Sequence, residues 1–483
     1  MTERAASDVV SLADPTAEPA RYDARTHRLL EAPIARTLVR LAVPNVLVML
    51  AQASVGLIET YFVGKLGTDP LAGVALVFPA VMLMQMMSAG AMGGGISSAV
   101  ARALGAGRRG DADALALHAL AIALAFGLVF TIAVLGGGHW LYAAMGGSGG
   151  SLAAALTYSN VIFAGAILVW IFNSLANVIR GSGNMTVPAA VTSAGAAFLI
   201  PLSPCLIFGL GPFPRLGIAG GATAVLIYYA LGSLALAAYL ASPRSLVRLR
   251  LGGFRFRWPL FREILRVGLV AALVTVQTNF TIAVATALVG SFGAAAIAGY
   301  GTGARLEYLL VPLVFGFGAP LVAMVGTNFG AGRRERALRT AWIGTAIAAG
   351  LCEVIGLAAA AFPSAWLSLF DSDPRMLEAG SSYLRAVGPA YGLFGMGMAL
   401  YFASQGAGRL LWPLAANFAR MIIAAGGGWL VLRAGGSLSQ VFLTQGAALA
   451  TFGLINAAAV AAGAWHGRIA WRLPAILVSR GKP

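Results

Sequence analysis

The stretch ALGAGRR at residues 103–109 returns as NFGAGRR at residues 328–334, which is 225 positions later. VGKLGTDPLAG at 63–73 returns as VGSFGAAAIAG at 289–299, at an offset of 226. Glycines and prolines elsewhere follow the same offset of 225: Gly181 and Gly406, Gly183 and Gly408, Pro188 and Pro413. Solenoid repeats have periods of about 20–50 residues, so this longer period indicates two copies of one large unit.

The composition predicts an integral membrane protein. Hydrophobic residues make up 59% of the chain and charged residues 10%, whereas soluble domains carry about 25% charged residues. Apolar runs of about 20 residues recur, each long enough to cross a bilayer as a helix. The alternation typical of barrel strands is absent. Paired halves in a membrane protein are typical of a transporter whose pathway lies between or within them.

The apolar runs predict an all-α fold of twelve transmembrane helices, at about 40–63, 71–100, 113–136, 152–179, 185–209, 217–241, 264–289, 295–326, 337–361, 377–404, 411–432 and 440–464. Part of the second and of the eighth is expected to be extramembrane or bent. Six helices per half is an even number, so the two lobes are expected to be related by a pseudo-twofold axis along the membrane normal. The predicted domains are a disordered tail (1–37), a first lobe (38–241), a basic connector (242–263), a second lobe (264–465) and a C-terminal tail (466–483).

Positive charge predicts the orientation. Of 33 Lys and Arg residues, 26 fall in the termini and in alternate loops, and only four fall in the loops of the other side. The positive-inside rule therefore places both termini in the cytoplasm. The net charge of +16 is thus interpreted as a topology signal, and we expect the bilayer rather than nucleic acid as the partner. The connector's arginines are expected to contact anionic lipid.

Among acids within the predicted spans, Glu59 stands out. A carboxyl group in a membrane span is costly and marks a functional hypothesis. Counting back along the helix, Gly56 and Gln52 share its face, and Pro44 is expected to kink or weaken the helix near its start. Protonation of Glu59 would then bias two helix shapes.

The second lobe carries its own membrane charges: Arg305, Glu307, Glu353 and Arg385. They either meet as one buried cluster with a role in transport or form ion pairs that hold helices together, and the sequence favours the ion pairs. Arg420 lies nearer mid-depth in the eleventh span.

The sequence does not predict an enzyme or a cofactor. GGSGG at 146–150 fits G-x-S-x-G but lacks the strand-to-helix context of a nucleophile elbow. The four histidines lack metal-ligand spacing, and no phosphate-binding loop for ATP is present.

Several motifs together resemble the multidrug and toxic compound extrusion (MATE) family. These are LAVP at 41–44 followed by Glu59-Thr60 and VGKLGTDPLAGV at 63–74, RGSGNMTVP at 180–188, SPCLIFG at 203–209 with GIAGGAT at 217–223, and VGTNFGAGR at 325–333. The resemblance covers about residues 38 to 465. It implies two six-helix lobes around a central cavity and export of amphipathic, often cationic, compounds driven by proton or sodium entry.

The resemblance places Glu59 at the family's first-helix acid and Thr223 at a polar position that joins its network. Two positions depart from the family pattern, since Leu199 and Ser203 stand where an Asn and an Asp are usual. The loss of these oxygen ligands favours proton over sodium coupling. Neutral Gln277 and Asn279, expected to line the cavity, stand where one branch of the family has an acid in the seventh span.

The sequence-based prediction is therefore a proton-coupled antiporter of amphipathic, cationic compounds, a monomer in a bacterial inner membrane with Glu59 as the coupling residue. The alternatives are a lipid-linked sugar flippase of the same superfamily, for which Arg305, Arg385 and Arg420 would supply a cationic cavity, and a major-facilitator transporter. The alternative from a different functional class is a receptor or scaffold that transports no solute.

Overall fold

Helices form the whole regular structure of the described chain. The computed structural model describes residues 22–249, 255–370 and 372–466, and no strand occurs in them. A short helix α1 (Ala24–Glu31) precedes the bundle. The first half continues with α2 (Ile34–Gly64), α3 (Thr68–Gly105), α4 (Arg109–Ala144), α5 (Gly149–Ala164), α6 (Ala166–Gly181), α7 (Thr186–Phe208) and α8 (Ile218–Ala241).

The second half repeats this arrangement. It contains α9 (Trp258–Gly290), α10 (Ala294–Gly330), α11 (Arg334–Ala361), a short α12 (Pro363–Leu367), α13 (Pro374–Ala407), α14 (Leu411–Arg433) and α15 (Leu438–Ala461). Within the described residues, ten helices are long and apolar enough to span a membrane, or eleven when α5 and α6, bent by 48°, count as one span. Helix α2, with 31 residues, exceeds the length needed and is the twelfth. The predicted twelve-helix fold is confirmed.

The two halves are related at the level of individual contacts. A Cβ atom on Gly105 would lie 2.0 Å from the carbonyl oxygen of Thr327, and one on Gly330 would lie 2.1 Å from that of Arg102. Gly105 and Gly330 are repeat equivalents, as are Arg102 and Thr327. This reciprocal contact, which requires glycine at both helix ends, joins the lobes where α3 and α10 cross.

Equivalent contacts also occur inside each lobe. A Cβ atom on Gly181 would lie 2.6 Å from the Ser97 carbonyl oxygen, and one on Gly406 would lie 2.7 Å from the Val322 carbonyl oxygen. Ser97 and Val322 are again 225 positions apart. The repeated glycines therefore mark the same helix crossings in both halves.

Each lobe has its own core. In the first lobe, Trp170 is fully buried and stacks on Phe126 at 5.2 Å between ring centroids. In the second lobe, Tyr383 and Phe442 pack edge to face at 5.2 Å. Large apolar side chains elsewhere, such as Ile132 at 64% exposure, face outward, as lipid-facing residues do.

The prediction of a disordered tail over 1–37 is wrong for residues 22–37, and residues 1–21 lie outside the described chain. Asp23 caps α1 by accepting a hydrogen bond from the Arg25 N–H, and Leu29 and Leu30 are buried. The sequence did not predict this helix, because its amphipathic pattern covers only eight residues within a polar segment. Helix α2 then begins at Ile34, before the predicted start of the first span.

Helix α1 contacts both lobes. The Tyr22 hydroxyl donates to the Gly105 carbonyl oxygen at 3.0 Å, and Leu29 packs against Gly183 of the first lobe. Asn328 of the second lobe donates to the Leu29 carbonyl oxygen at 3.1 Å. We call the end of the bundle where α1 lies the terminal side.

The basic connector is shorter than predicted, because α9 begins at Trp258 and residues 258–263 belong to its first turns. Arg257 pairs with Asp111 of α4 at 2.7 Å, and the Arg248 N–H donates to Asp113 at 2.7 Å. These connector residues therefore contact α4 of the first lobe. Residues 250–254 lie outside the described chain.

Candidate functional site

A cavity of about 410 Å³ lies between the lobes. Its described lining comes mostly from the first lobe, through α2, α3, α5, α6, α7 and α8. The second lobe contributes Phe315, Ala319, Val322, Phe402 and Gln405. Methionines and aromatic rings dominate the apolar part of this lining: Met49, Met82, Met84, Met86, Phe172, Tyr228 and Tyr229. Such flexible and aromatic side chains suit ligands of varied shape.

A network of amides forms the polar part of the wall. Asn173 donates to the Gln85 side-chain oxygen at 3.1 Å and to the Ser88 hydroxyl at 2.9 Å. Gln85 in turn donates to the Tyr229 hydroxyl. Asn177, one turn further along α6, donates to the backbone oxygen of Ala89 at 3.2 Å. The network ties α3, α6 and α8 together beside the cavity.

Arg180 carries the only formal charge among the described residues that line the cavity. It forms no ion pair with any described carboxylate, and its Nε atom is buried without a hydrogen-bond partner. The residue is half-buried, and a cation withdrawn from water without a counter-charge is costly. The arrangement therefore leaves a positive charge free to interact with a ligand.

The predicted first-lobe residues divide into those the structure describes and those it does not. The backbone is helical at Gln52, Gly56 and Glu59, but the surroundings of these three residues lie outside what the structure describes. Pro44 lies within α2, which continues past it. The next residue, Asn45, is buried, lines the cavity and donates to the Gly316 carbonyl oxygen of the second lobe at 3.5 Å.

Thr223, Gln277 and Asn279 are absent from the described cavity wall. Thr223 donates to the Ala219 carbonyl oxygen of its own helix at 2.8 Å. Gln277 is buried between α9 and α14, where it accepts a hydrogen bond from Asn417 at 3.2 Å. Asn279 is exposed. Neither Gln277 nor Asn279 is among the described residues that line this cavity, and their place in a transport pathway stays a prediction.

The second-lobe charges do not form the predicted cluster, nor the alternative set of ion pairs, within the described residues. Glu307 accepts a hydrogen bond from the Tyr383 hydroxyl at 2.5 Å. Glu353 accepts one from the Gly392 N–H at 2.7 Å, and so caps a helical break at 388–390 in α13. Each acid therefore has its own structural partner.

Two of the second-lobe arginines lie over aromatic rings. Arg305 and Arg385 are both exposed, and the Arg305 guanidinium lies 5.4 Å from the Phe370 ring centroid. Arg420 lies over Phe394 and Phe452, at 5.6 and 5.9 Å from their centroids. None of these arginines is among the described residues that line the cavity.

An ion pair helps to close the bundle below the cavity on the terminal side. Arg102 of α3 pairs with Glu263 of α9 at 3.1 Å, and it also donates to the Gly406 carbonyl oxygen of α13 at 2.9 Å. These contacts join first-lobe and second-lobe helices. Together with the crossing of α3 and α10, they hold the lobes together at that end.

Sequence reasoning missed the amide network and the role of Arg180. The available signal was the i, i+4 spacing of Asn173 and Asn177 on an otherwise apolar helix, which places two amides on one face. The predicted fourth span ends at residue 179, which leaves Arg180 in the loop that follows. Helix α6 extends past it to Gly181, and this brings it to the cavity.

Twelve helices in two repeated lobes around a central cavity define a polytopic membrane transporter. The MatE family model matches residues 44–205 and 271–430, one block in each lobe. The chain therefore belongs to the MATE family of transporters, and it is not an enzyme.

Relatives agree with this assignment. The chain is 30% identical over 403 residues to a FAD transporter of Shewanella oneidensis, covering 82% of this chain and 88% of that protein. It is 26% identical over 390 residues to a probable multidrug resistance protein NorM of Thermotoga maritima, covering 80% and 82%.

Solved structures share the fold. A transporter of the MOP superfamily from Pyrococcus furiosus, described as having a binding pocket of reverse polarity that suggests a different function, superimposes with a TM-score of 0.80 at 25% identity. That match covers 90% of this chain and 97% of the other. An outward-facing multidrug resistance MATE transporter gives a TM-score of 0.81.

Proposed function

We propose that this MATE transporter is a monomeric secondary antiporter that exports amphipathic small molecules in exchange for protons. The observation that carries the proposal is the apolar, aromatic cavity between two lobes that are joined on the terminal side. Relatives named as multidrug resistance proteins support export of such compounds. Sodium is the less favoured coupling ion, because Leu199 lines the cavity with no oxygen ligand to offer.

The terminal side is proposed to face the cytoplasm of a bacterial cell, with the protein in the inner membrane. The charge asymmetry of the loops supports this orientation. The cavity is then closed towards the cytoplasm by the contacts of Arg102, and export ends with release on the opposite side. Reopening towards the cytoplasm requires those contacts to break.

Glu59 is proposed as the proton-coupling residue. By the helical period of about 100° per residue, position 59 lies about 40° around α2 from Asn45, which lines the cavity. Protonation removes its negative charge, which alters the stability of α2 on that face. Because Asn45 bonds Gly316 across the lobes, a change in the shape of α2 near Pro44 reaches the second lobe directly.

The test is transport in proteoliposomes with imposed proton or sodium gradients and a panel of lipophilic cations and anions. Glu59→Gln is expected to abolish proton-driven transport while leaving folding intact. Glu378→Gln, which removes the same charge from an exposed site on α13, is the matched control. Full proton-driven transport by Glu59→Gln would refute the coupling role.

A second candidate concerns the charge of the substrate. The notion of a cationic substrate conflicts with Arg180, the one charge on the described lining, which would repel a cation and attract an anion. The relative that is named a FAD transporter carries a phosphate-bearing aromatic compound. We therefore add anionic aromatic compounds such as flavin nucleotides as candidate substrates.

Arg180→Gln separates the two substrate classes. If the substrate is anionic, the variant is expected to lose about tenfold or more in FAD transport, since charge-assisted hydrogen bonds contribute about 1.5–3 kcal/mol. Transport of a cation such as ethidium would be unchanged or improved. If ethidium export falls and FAD is never transported, the substrate is cationic and Arg180 has another role.

A further inference from the structure

The terminal side of the second lobe carries a basic pocket that is separate from the central cavity. The pocket has a volume of about 510 Å³. Four arginines line it, together with Ile34 and the acid Glu335: Arg333, Arg334, Arg336 and Arg339. The lining therefore has three more positive than negative charges. It lies at the start of α11, where that helix has no side-chain cap.

The arginines of this pocket are incompletely neutralised. Glu31 of α1 pairs with Arg333 at 3.1 Å, with both side chains partly exposed. Neither Arg336 nor Arg339 forms an ion pair with a described residue, and the Nε atom of Arg336 is buried without a hydrogen-bond partner. Glu335 likewise pairs with no described cation. Several guanidinium N–H donors are thus available to a ligand that carries hydrogen-bond acceptors.

The repeat shows that the charge is specific to this half. The first-half equivalents of Arg333 and Arg336 are Arg108 and Asp111. Asp111 pairs with Arg108 at 2.9 Å and with Arg257 at 2.7 Å, so the first half neutralises its own basic turn. At the same position, the second half has an arginine instead of the acid.

We propose that this pocket binds a phosphate group, from either a phospholipid headgroup or a soluble phosphate compound. Guanidinium groups bind phosphate oxygens through paired N–H donors, and the uncapped start of α11 adds the positive end of a helix dipole. The pocket lies at the end of a transmembrane helix, where lipid headgroups and aqueous phosphates are both within reach.

Occupancy would also affect the N-terminal segment. Arg333 donates to the Leu30 carbonyl oxygen at 3.0 Å, and Arg336 donates to that of Ala32. A phosphate held by these arginines fixes the same side chains that hold the end of α1. Bound phosphate is therefore expected to stabilise the packing of α1 against the two lobes.

The experiment measures binding by the full-length protein in detergent, with native mass spectrometry and thermal unfolding as readouts. One arm titrates phosphatidylglycerol and the other titrates inorganic phosphate. Wild-type protein is expected to bind one molecule with a higher unfolding temperature, and Arg336→Gln with Arg339→Gln is expected to weaken binding by about tenfold per arginine removed. Arg109→Gln, which removes the same charge from the equivalent turn of the first half, should bind as the wild type does.

The two arms identify the source of the phosphate. Displacement of the lipid by inorganic phosphate indicates a site for soluble phosphates, and binding of lipid alone indicates a headgroup site. Arg339→Gln alone provides a variant that leaves the bonds to α1 intact if the double variant does not fold. The proposal is overturned if the Arg336 and Arg339 variants bind like the wild type, or if Arg109→Gln weakens binding equally.

Discussion

Arg102 and Glu263 form an ion pair of 3.1 Å that joins the first lobe to the second. Arg102 is 12% exposed and Glu263 is 28% exposed, so solvent screens the pair less than it screens a surface pair. The same guanidinium bonds the Gly406 carbonyl oxygen. One side chain thus connects α3, α9 and α13, and a transport cycle that separates the lobes on this side has to break these bonds.

We predict that Glu263→Gln weakens this closure. Arg102 keeps its backbone acceptor but loses the opposite charge, so the expected loss is about 1–3 kcal/mol. Thermal unfolding of the purified protein should show a lower midpoint. A double-mutant cycle with Arg102→Gln measures the coupling between the two groups, and a coupling energy of zero would show that the ion pair contributes nothing.

We predict that Gly105→Ala destabilises the crossing of α3 and α10. The added Cβ atom would lie 2.0 Å from the Thr327 carbonyl oxygen, and overpacking of this kind costs about 1–3 kcal/mol. The matched control is Gly110→Ala, since a Cβ atom there meets nothing within 4 Å. Equal unfolding midpoints for the two variants would contradict the close contact.

We predict that Tyr383→Phe destabilises the second lobe by about 1–3 kcal/mol, because it removes the hydroxyl donor of Glu307 in a buried setting. Tyr401→Phe is the control, since Tyr401 is also buried and its hydroxyl has no hydrogen-bond partner among the described residues. The measurement is thermal unfolding. A loss of transport without a loss of stability would instead assign Glu307 a part in transport.

We predict a pH-dependent contribution from Glu31. The hydrogen bond from Arg333, aided by the nearby His27, lowers the pKa of the Glu31 carboxyl below its usual value of 4.5. A lowered pKa stabilises the folded state above pH 4.5, and this contribution is lost as the pH falls through the folded-state pKa. Unfolding midpoints of wild type and Glu31→Gln should differ slightly at pH 7 and converge well below pH 4.5.

The sequence was sufficient for the fold, because glycines at helix crossings and arginines at helix ends are readable without coordinates. It was not sufficient to predict which residues line the cavity. Gln277 and Asn279 were assigned to its wall, yet the rotation of α9 about its own axis depends on packing against α14. Arg305 and Arg385 likewise sit at plausible depths but are not among the described lining residues. Depth follows from helical rise alone, whereas the direction of a side chain depends on neighbouring helices.

The amide network illustrates the same limit. Gln85, Asn173 and Tyr229 come from three helices far apart in sequence, and only their tertiary arrangement brings the amides together. Arg180 was visible in the sequence, but its meaning depended on where α6 ends.

The reciprocal contact of Gly105 and Gly330 has a consequence for the origin of the protein. Gly105 contacts the backbone of Thr327 in the second half, and Gly330 contacts the backbone of Arg102, the equivalent of Thr327, in the first half. Both halves thus contribute the same two positions, as in an isologous interface between identical subunits. Two separate copies of a six-helix ancestor would make this contact without any change. The joint between the lobes is therefore compatible with a homodimer that preceded gene duplication and fusion, whereas the acid-to-arginine difference between Asp111 and Arg336 requires two halves that diverged afterwards.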